Sequence, residues 1–89
     1  MPIIKSAKKR MRQNVVRNAR NRVRRSTLRT SIRRLHEVLA AGDQDAIRAQ
    51  WVQTQGIIDR TAQMGIIHRN AAARTKSRLA RRIQQAAAA

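Results

Sequence analysis

Seventeen arginines and four lysines dominate the side-chain chemistry of this 89-residue chain, and they are segregated along it. Lys5, Lys8, Lys9, Arg10, Arg12, Arg17, Arg20, Arg22, Arg24, Arg25, Arg29, Arg33 and Arg34 follow one another without an acid among them. A second acid-free run, from His68 to Ala89, holds Arg69, Arg74, Lys76, Arg78, Arg81 and Arg82. The middle has all four acids (Glu37, Asp43, Asp45 and Asp59) and only Arg48 and Arg60. A guanidinium is a planar fork of donors that grips pairs of phosphate oxygens, whereas an ammonium is a point charge. A net charge of +17 and a pI near 12.0, so distributed, repel themselves unless a polyanion neutralises them. The expected partner is nucleic acid.

Other chemistries are poorly supplied. Near neutral pH the useful titratable groups are His36 and His68, and the four acids show no paired spacing. No serine or threonine is spaced with a histidine and an acid as a nucleophile set would require. There is no glycine-rich phosphate loop and no His/Asp/Glu cluster at metal-ligand spacing. The absence of cysteine excludes disulfides and thiolate metal sites. No enzyme activity, cofactor, metal or small-molecule substrate is therefore expected. No apolar run is long enough to cross a bilayer, and the opening Met1-Pro2-Ile3-Ile4-Lys5 lacks a secretory h-region. An Arg-rich, acid-poor start also resembles a mitochondrial transit peptide, but its removal would leave too little chain for a core. A cytoplasmic protein with no membrane association is expected.

The elements that must carry these cations read as helices. One proline, at position 2, and three glycines imply long uninterrupted segments, and no period-two run or hairpin turn signals a strand. Gly42 followed by Asp43 reads as a helix stop and then an N-cap, and Gly65 as a second stop. The expectation is one all-α domain spanning residues 1–89: a three-helix bundle with helices at roughly 6–41, 44–64 and 69–86. Ala86 to Ala89 are expected to fray.

Three apolar stripes need one another for burial: Leu28, Ile32, Leu35 and Leu39; Ile47, Trp51, Thr54, Ile58 and Ala62; and Ala72, Thr75, Leu79, Ile83 and Ala86. Trp51, the single aromatic, is expected in the core. Gly56 inside the second helix reads either as a close helix approach or as a tolerated weak point. In the first half of helix 1, Met11, Val15, Val16, Ala19 and Val23 are sparse and drift around the helix, while Arg17, Arg20, Arg22 and Arg25 point to four sides. A helix basic all round has no core to face, so this long segment is expected to extend beyond the bundle and be enclosed by its partner.

With no Phe or Tyr, and Trp51 on a core stripe, base stacking on aromatics is not the expected mode. Recognition should run through phosphates and 2′-hydroxyls of a folded, helical nucleic acid. His68-Arg69-Asn70, at a predicted helix start, offers donors to such oxygens, while Asn70 could equally serve as a plain helix cap. His36 reads as a boundary residue of the core. Leu28, Ile32, Leu35 and Leu39 have zipper-like 4-3-4 spacing, but barely two heptads precede Gly42, so no basic zipper and no homo-oligomer is expected. The drifting stripe also lacks the continuous apolar face of a membrane-active helix. A general DNA-compacting protein remains an alternative supported by charge alone.

Three blocks carry a specific likeness: Ile4-Lys5-Ser6-Ala7-Lys8-Lys9-Arg10; Asn21-Arg22 with Arg25-Ser26 and Arg29-Thr30; and Gly65-Ile66-Ile67-His68-Arg69-Asn70-Ala71-Ala72-Ala73-Arg74-Thr75-Lys76-Ser77-Arg78-Leu79. They resemble the bacterial ribosomal protein S20 family over essentially the whole length, most specifically in the third block. Pro2-Ile3 replaces the more usual Ala-Asn, and Ala71 stands where the family often has lysine. The resemblance implies a three-helix bundle with an extended first helix, bound directly to 16S ribosomal RNA in the small (30S) subunit, holding RNA rather than catalysing.

Charge and resemblance together give the expected RNA-contacting set. It begins with Lys5, Ser6, Lys8, Lys9, Arg10 and Arg12. Along the first helix it continues through Arg17, Arg20, Asn21, Arg22, Arg24, Arg25, Ser26, Arg29, Thr30 and Arg33. In the third helix it comprises His68, Arg69, Asn70, Arg74, Lys76, Ser77, Arg78 and Arg81.

Overall fold

The computed structural model describes residues 2–88, with side chains from Lys5 to Ala87. Three helices follow one another: α1 (Pro2–Ala41), α2 (Gln44–Gln63) and α3 (Arg69–Ala88), with no strand among the described residues. The helix α1 begins earlier than expected because proline suits the first helical position, where its missing N–H is no loss. At the other end α3 runs two residues past the expected 86, through alanines, the strongest helix formers. Ala86, expected to fray, is helical and half-buried, and Ala89 lies outside the described residues.

Both interhelical turns are glycine turns. Gly42 (φ +78°) and Gly65 (φ +75°) adopt left-handed backbone, which costs a side-chain-bearing residue about 1–2 kcal/mol. After α2 the Ile66 N–H donates to the Thr61 carbonyl at 3.2 Å and the Gly65 N–H to the Ala62 carbonyl at 3.0 Å. This is the double closure of a Schellman stop. Asp43 opens α2, its Oδ1 accepting from the N–H groups of Asp45 (3.1 Å) and Ala46 (3.4 Å).

The hairpin at Gly42 lays α2 along α1, and α3 packs mainly against α2, reaching α1 through side chains such as Arg82 and Leu79. Leu35, Ile58, Ala72 and Leu79 form the buried cluster, with Leu28, Ile32, Leu39 and Ile83 packed against it. All three expected stripes are thus used. Within α2 the buried line passes through Ile47, Thr54, Ile58 and Thr61. Trp51 and Ala62 lie just off that line, so the tryptophan sits half-buried at the edge rather than inside the core. The core is also less apolar than its stripes suggest. Buried Ser31 and Thr54 hydroxyls lie 2.9 Å apart across α1 and α2, and Gln50 Nε2 donates to both, at 3.3 and 3.2 Å. Among the described residues every buried side-chain polar atom has a hydrogen-bond partner, so this contact adds register without an unpaired-group penalty.

The apolar seam of α1 packs against α2 and α3. N-terminal to that seam, every described side chain from Lys5 to Arg20 is exposed. These sixteen residues extend the helix about 24 Å at about 1.5 Å per residue. The molecule measures 67 × 22 × 14 Å, and its radius of gyration of 17.9 Å exceeds the roughly 12 Å of a compact chain this size.

A Cβ at Gly56 would meet only the Arg60 guanidinium, at 3.8 Å. The glycine therefore serves no close helix approach. Gly56→Ala is expected to stabilise the fold by about 1 kcal/mol through helix propensity. Leu35→Ala should cost about 2–5 kcal/mol, whereas Val15→Ala, on the projecting segment, should change stability by less than about 0.5 kcal/mol. Urea denaturation followed by circular dichroism measures all three.

Candidate nucleic-acid interface

A straight helix turns about 100° per residue, and that rotation sorts the cations of α1 into rows. Arg22, Arg25 and Arg29 share one face with Asn18, at i, i+4, i+7 and i+11, so Arg22 and Arg25, expected on different sides, stand only about 60° apart. Together with Asn21 and Ser26 they line a shallow groove along the helix. A second set, Arg12, Arg17, Arg20 and Arg24, lines another groove with Gln13, Val16 and Met64. Met64, the cap residue of α2 and half exposed at 51%, thus marks where the bundle meets the projecting arm. Lys5, Ser6, Lys8, Lys9 and Arg10 lie further out, all exposed.

Nearly all this charge is uncompensated. Among the described residues there are two ion pairs, and of the thirteen cations between Lys5 and Arg34 only Arg33 takes part, 3.9 Å from Glu37. The second pair removes a residue from the free set: Lys76 turns towards α2 and its Nζ lies 3.0 Å from Asp59 Oδ1. Lys76 is half-buried, as are Asn21 and Thr30, the latter beside the groove between α1 and α2. Every other expected contact residue is exposed.

On α3 the register separates three directions. Asn70, Arg74, Ser77 and Arg81 fall at i, i+4, i+7 and i+11, forming one exposed row opposite Ala72 and Leu79. Arg78 turns instead towards α1, where it lines a groove with Ile32 and His36. Arg69 is exposed in the first turn.

Helix α3 is capped by His68, not by Asn70. The His68 Nδ1 accepts from the Asn70 N–H at 3.1 Å, and its carbonyl accepts the first helical bond from Ala72 at 3.0 Å. Because a backbone N–H can only donate, Nδ1 is unprotonated and the ring proton sits on Nε2. The side chain of Asn70 is thereby released to the exposed row. Imidazole is not a frequent cap, so the sequence pattern favoured asparagine.

Three polar residues outside the expected set join these surfaces. Asn18 shares the row of Arg22, Arg25 and Arg29, a relation visible from helical periodicity once the row is chosen. Arg34 lines the groove between α1 and α2. Arg82 Nη1 donates to His36 Nδ1 at 3.2 Å across α1 and α3, an interaction across 46 residues that no local pattern signals. Asn21 lines both grooves of α1, so these two sets adjoin.

Among the described residues no group of three His, Cys, Asp or Glu could hold a metal, and no helix is long and apolar enough to cross a membrane.

The family model for ribosomal protein S20 matches residues 2–84, nearly the whole of this three-helix architecture. The chain belongs to the ribosomal protein S20 family. Relatives named small ribosomal subunit protein bS20 match it end to end. That of Stenotrophomonas maltophilia (strain R551-3) is 51% identical over 89 residues, covering all of both chains. That of Xanthomonas campestris pv. campestris (strain 8004) is 48% identical over the same span. The protein of Legionella pneumophila (strain Corby) is 46% identical over 88 residues, covering 99% of this chain and all of its own. S20 is a structural ribosomal protein family rather than an enzyme family, consistent with a surface built of exposed cations. Its most specific block here, Gly65 to Leu79, comprises the glycine stop, the histidine cap and the first turns of α3.

Loss of the cap should be measurable. His68→Ala is expected to destabilise the protein by about 0.5–2 kcal/mol, the range of other N-cap deletions. Asn70→Ala should cost less than about 0.5 kcal/mol, since an exposed side chain without a partner is removed. Thermal unfolding of the two variants distinguishes them.

Proposed function

We propose that this chain is a structural constituent of the small ribosomal subunit and binds 16S ribosomal RNA directly, through its arginines and lysines. The observation that carries this reading is the run of thirteen cations in α1, with one acidic partner among them and most of them on an arm outside the bundle. The full-length match to small-subunit proteins of the S20 family names the particle.

In this role the exposed arm enters the RNA and exchanges condensed counterions for guanidinium–phosphate contacts. Arg22, Arg25 and Arg29 contact one stretch of backbone, and Arg12, Arg17, Arg20 and Arg24 another. The row of Asn70, Arg74, Ser77 and Arg81 contributes a third surface. Lys76 acts within the protein, tying α3 to α2 through Asp59. The bundle fixes the angle between α1 and α3, so that shape rather than base sequence is read. The protein resides in the ribosome, and hence in the bacterial cytoplasm, with no small-molecule substrate.

If about ten phosphates are neutralised, log affinity for 16S RNA should fall with log salt at a slope of roughly −7 to −9. Arg22→Ala with Arg25→Ala should weaken binding and flatten the slope by about 2, close to one for each phosphate no longer neutralised. Filter binding across a salt series measures both. An unchanged slope would remove this row from the interface, and equal affinity for duplex DNA of the same length would favour a general DNA-compacting protein instead.

A further inference from the structure

Where α3 comes nearest to α1, a groove combines an apolar base with cations of α3. It holds about 490 Å³, within the range of about 300–1,000 Å³ typical of small-ligand sites. Its apolar base is Ile32 and Leu79, the one half-buried and the other 5% exposed. Around this base stand His36 from α1 and Thr75, Arg78, Arg82 and Gln85 from α3, with Arg81 of the exposed row at its border, and no carboxylate lines the groove. The Arg82 guanidinium donates to His36 Nδ1 at 3.2 Å, which leaves the imidazole proton on Nε2.

We infer that this groove is a binding site for a single unstacked nucleotide of the RNA. The inference rests on the RNA-binding role proposed above and specifies a subsite within it. A phosphate alone would need only the cations and would leave the half-buried Ile32 uncovered. A nucleobase has a flat apolar face for that base and carbonyl and ring-nitrogen acceptors on its edge. Guanidinium planes stack on such a ring, and unpaired bases of folded RNA are the ones free to leave the helix. The His36 Nε2–H and the Gln85 amide supply donors for the base edge, while Arg78 and Arg82 serve the flanking phosphate. The donor-rich, acid-free rim rejects an acidic protein partner less strongly than a basic one, so RNA and protein occupants must be separated by experiment.

The test uses the full chain bound to 16S ribosomal RNA, probed with base-modifying and 2′-hydroxyl-acylating reagents. Wild-type protein should protect at least one unpaired base, which Gln85→Ala and His36→Ala each re-expose. Each variant should lose affinity about three- to tenfold, as for one hydrogen bond, with an unaltered salt slope because neither substitution removes a cation. Hydroxyl-radical protection by the α1 arm should persist. Gln85 is exposed, so its replacement leaves the fold intact, and melting curves check His36→Ala. Wild-type base reactivity and affinity in both variants would overturn the subsite while leaving RNA binding standing. A photo-crosslinker at position 85 that captures only a ribosomal protein, or only paired RNA, would overturn it too. Absence of any footprint by the wild-type chain would instead overturn the RNA-binding role.

Discussion

Repulsion between neighbouring guanidinium and ammonium groups is the constraint that organises this molecule. On α1, Lys5 and Lys9, Lys8 and Arg12, Arg20 and Arg24, Arg25 and Arg29, and Arg29 and Arg33 stand one turn apart with like charge. Such neighbours lie about 5–6 Å apart, inside the Debye length of about 8 Å at physiological ionic strength, so salt does not erase the effect. The one local relief, between Arg33 and Glu37, comes only where the helix has already joined the bundle. An all-round basic helix is thus held by its backbone and by its continuity with a packed segment, while its electrostatics await a polyanion. The proposed function follows from that imbalance, and the uncovered arm is the form it takes in space.

The bundle can then be small. The buried cluster of Leu35, Ile58, Ala72 and Leu79, with buried Ile47 and a rim of half-buried side chains, joins the three helices. Their arrangement is reinforced by interactions of modest individual strength but long sequence reach: Ser31 with Thr54, Lys76 with Asp59, and Arg82 with His36. Each joins a different pair of helices. Exposed ion pairs contribute little to stability, so Lys76–Asp59 supplements the packing of Ala72 and Leu79 that holds α3. Two of the four acids, Glu37 and Asp59, form the ion pairs, and a third, Asp43, caps α2. The scarce negative charge is used inside the protein, away from the arm.

Both histidines act through the same atom. Nδ1 accepts from the Asn70 N–H in His68 and from the Arg82 guanidinium in His36. Each ring is therefore oriented, and each retains Nε2–H as its remaining donor. In His68 this arrangement frees the Asn70 side chain, and in His36 it leaves a ring N–H at a groove lined also by Arg78, Arg82 and Gln85. Two residues that look incidental by composition thus organise the ends of α3's packing against the rest of the molecule.

Sequence alone determined the number of helices, their boundaries within a few residues, and the division of α1 into a basic arm and a packed half. Those features depend on local quantities: glycine at left-handed positions 42 and 65, aspartate 43 at a cap, apolar spacing, and the density of like charge. It also identified the family, through the block from Gly65 to Leu79. Tertiary structure decided which side of each helix is committed to the protein itself. It turned Lys76 to Asp59, Arg78 to the groove on α1, Trp51 to the edge of the core, and Thr61 and Ser31 into its interior. The physical reason is that helical periodicity sets where side chains point relative to one another on a single helix, whereas a partner's position depends on how α2 and α3 are rotated and docked. That rotation is set by packing between residues far apart in sequence, Leu35 against Ile58, Ala72 and Leu79, with polar contacts 17, 23 and 46 positions apart beside it, and local patterns do not encode such pairings.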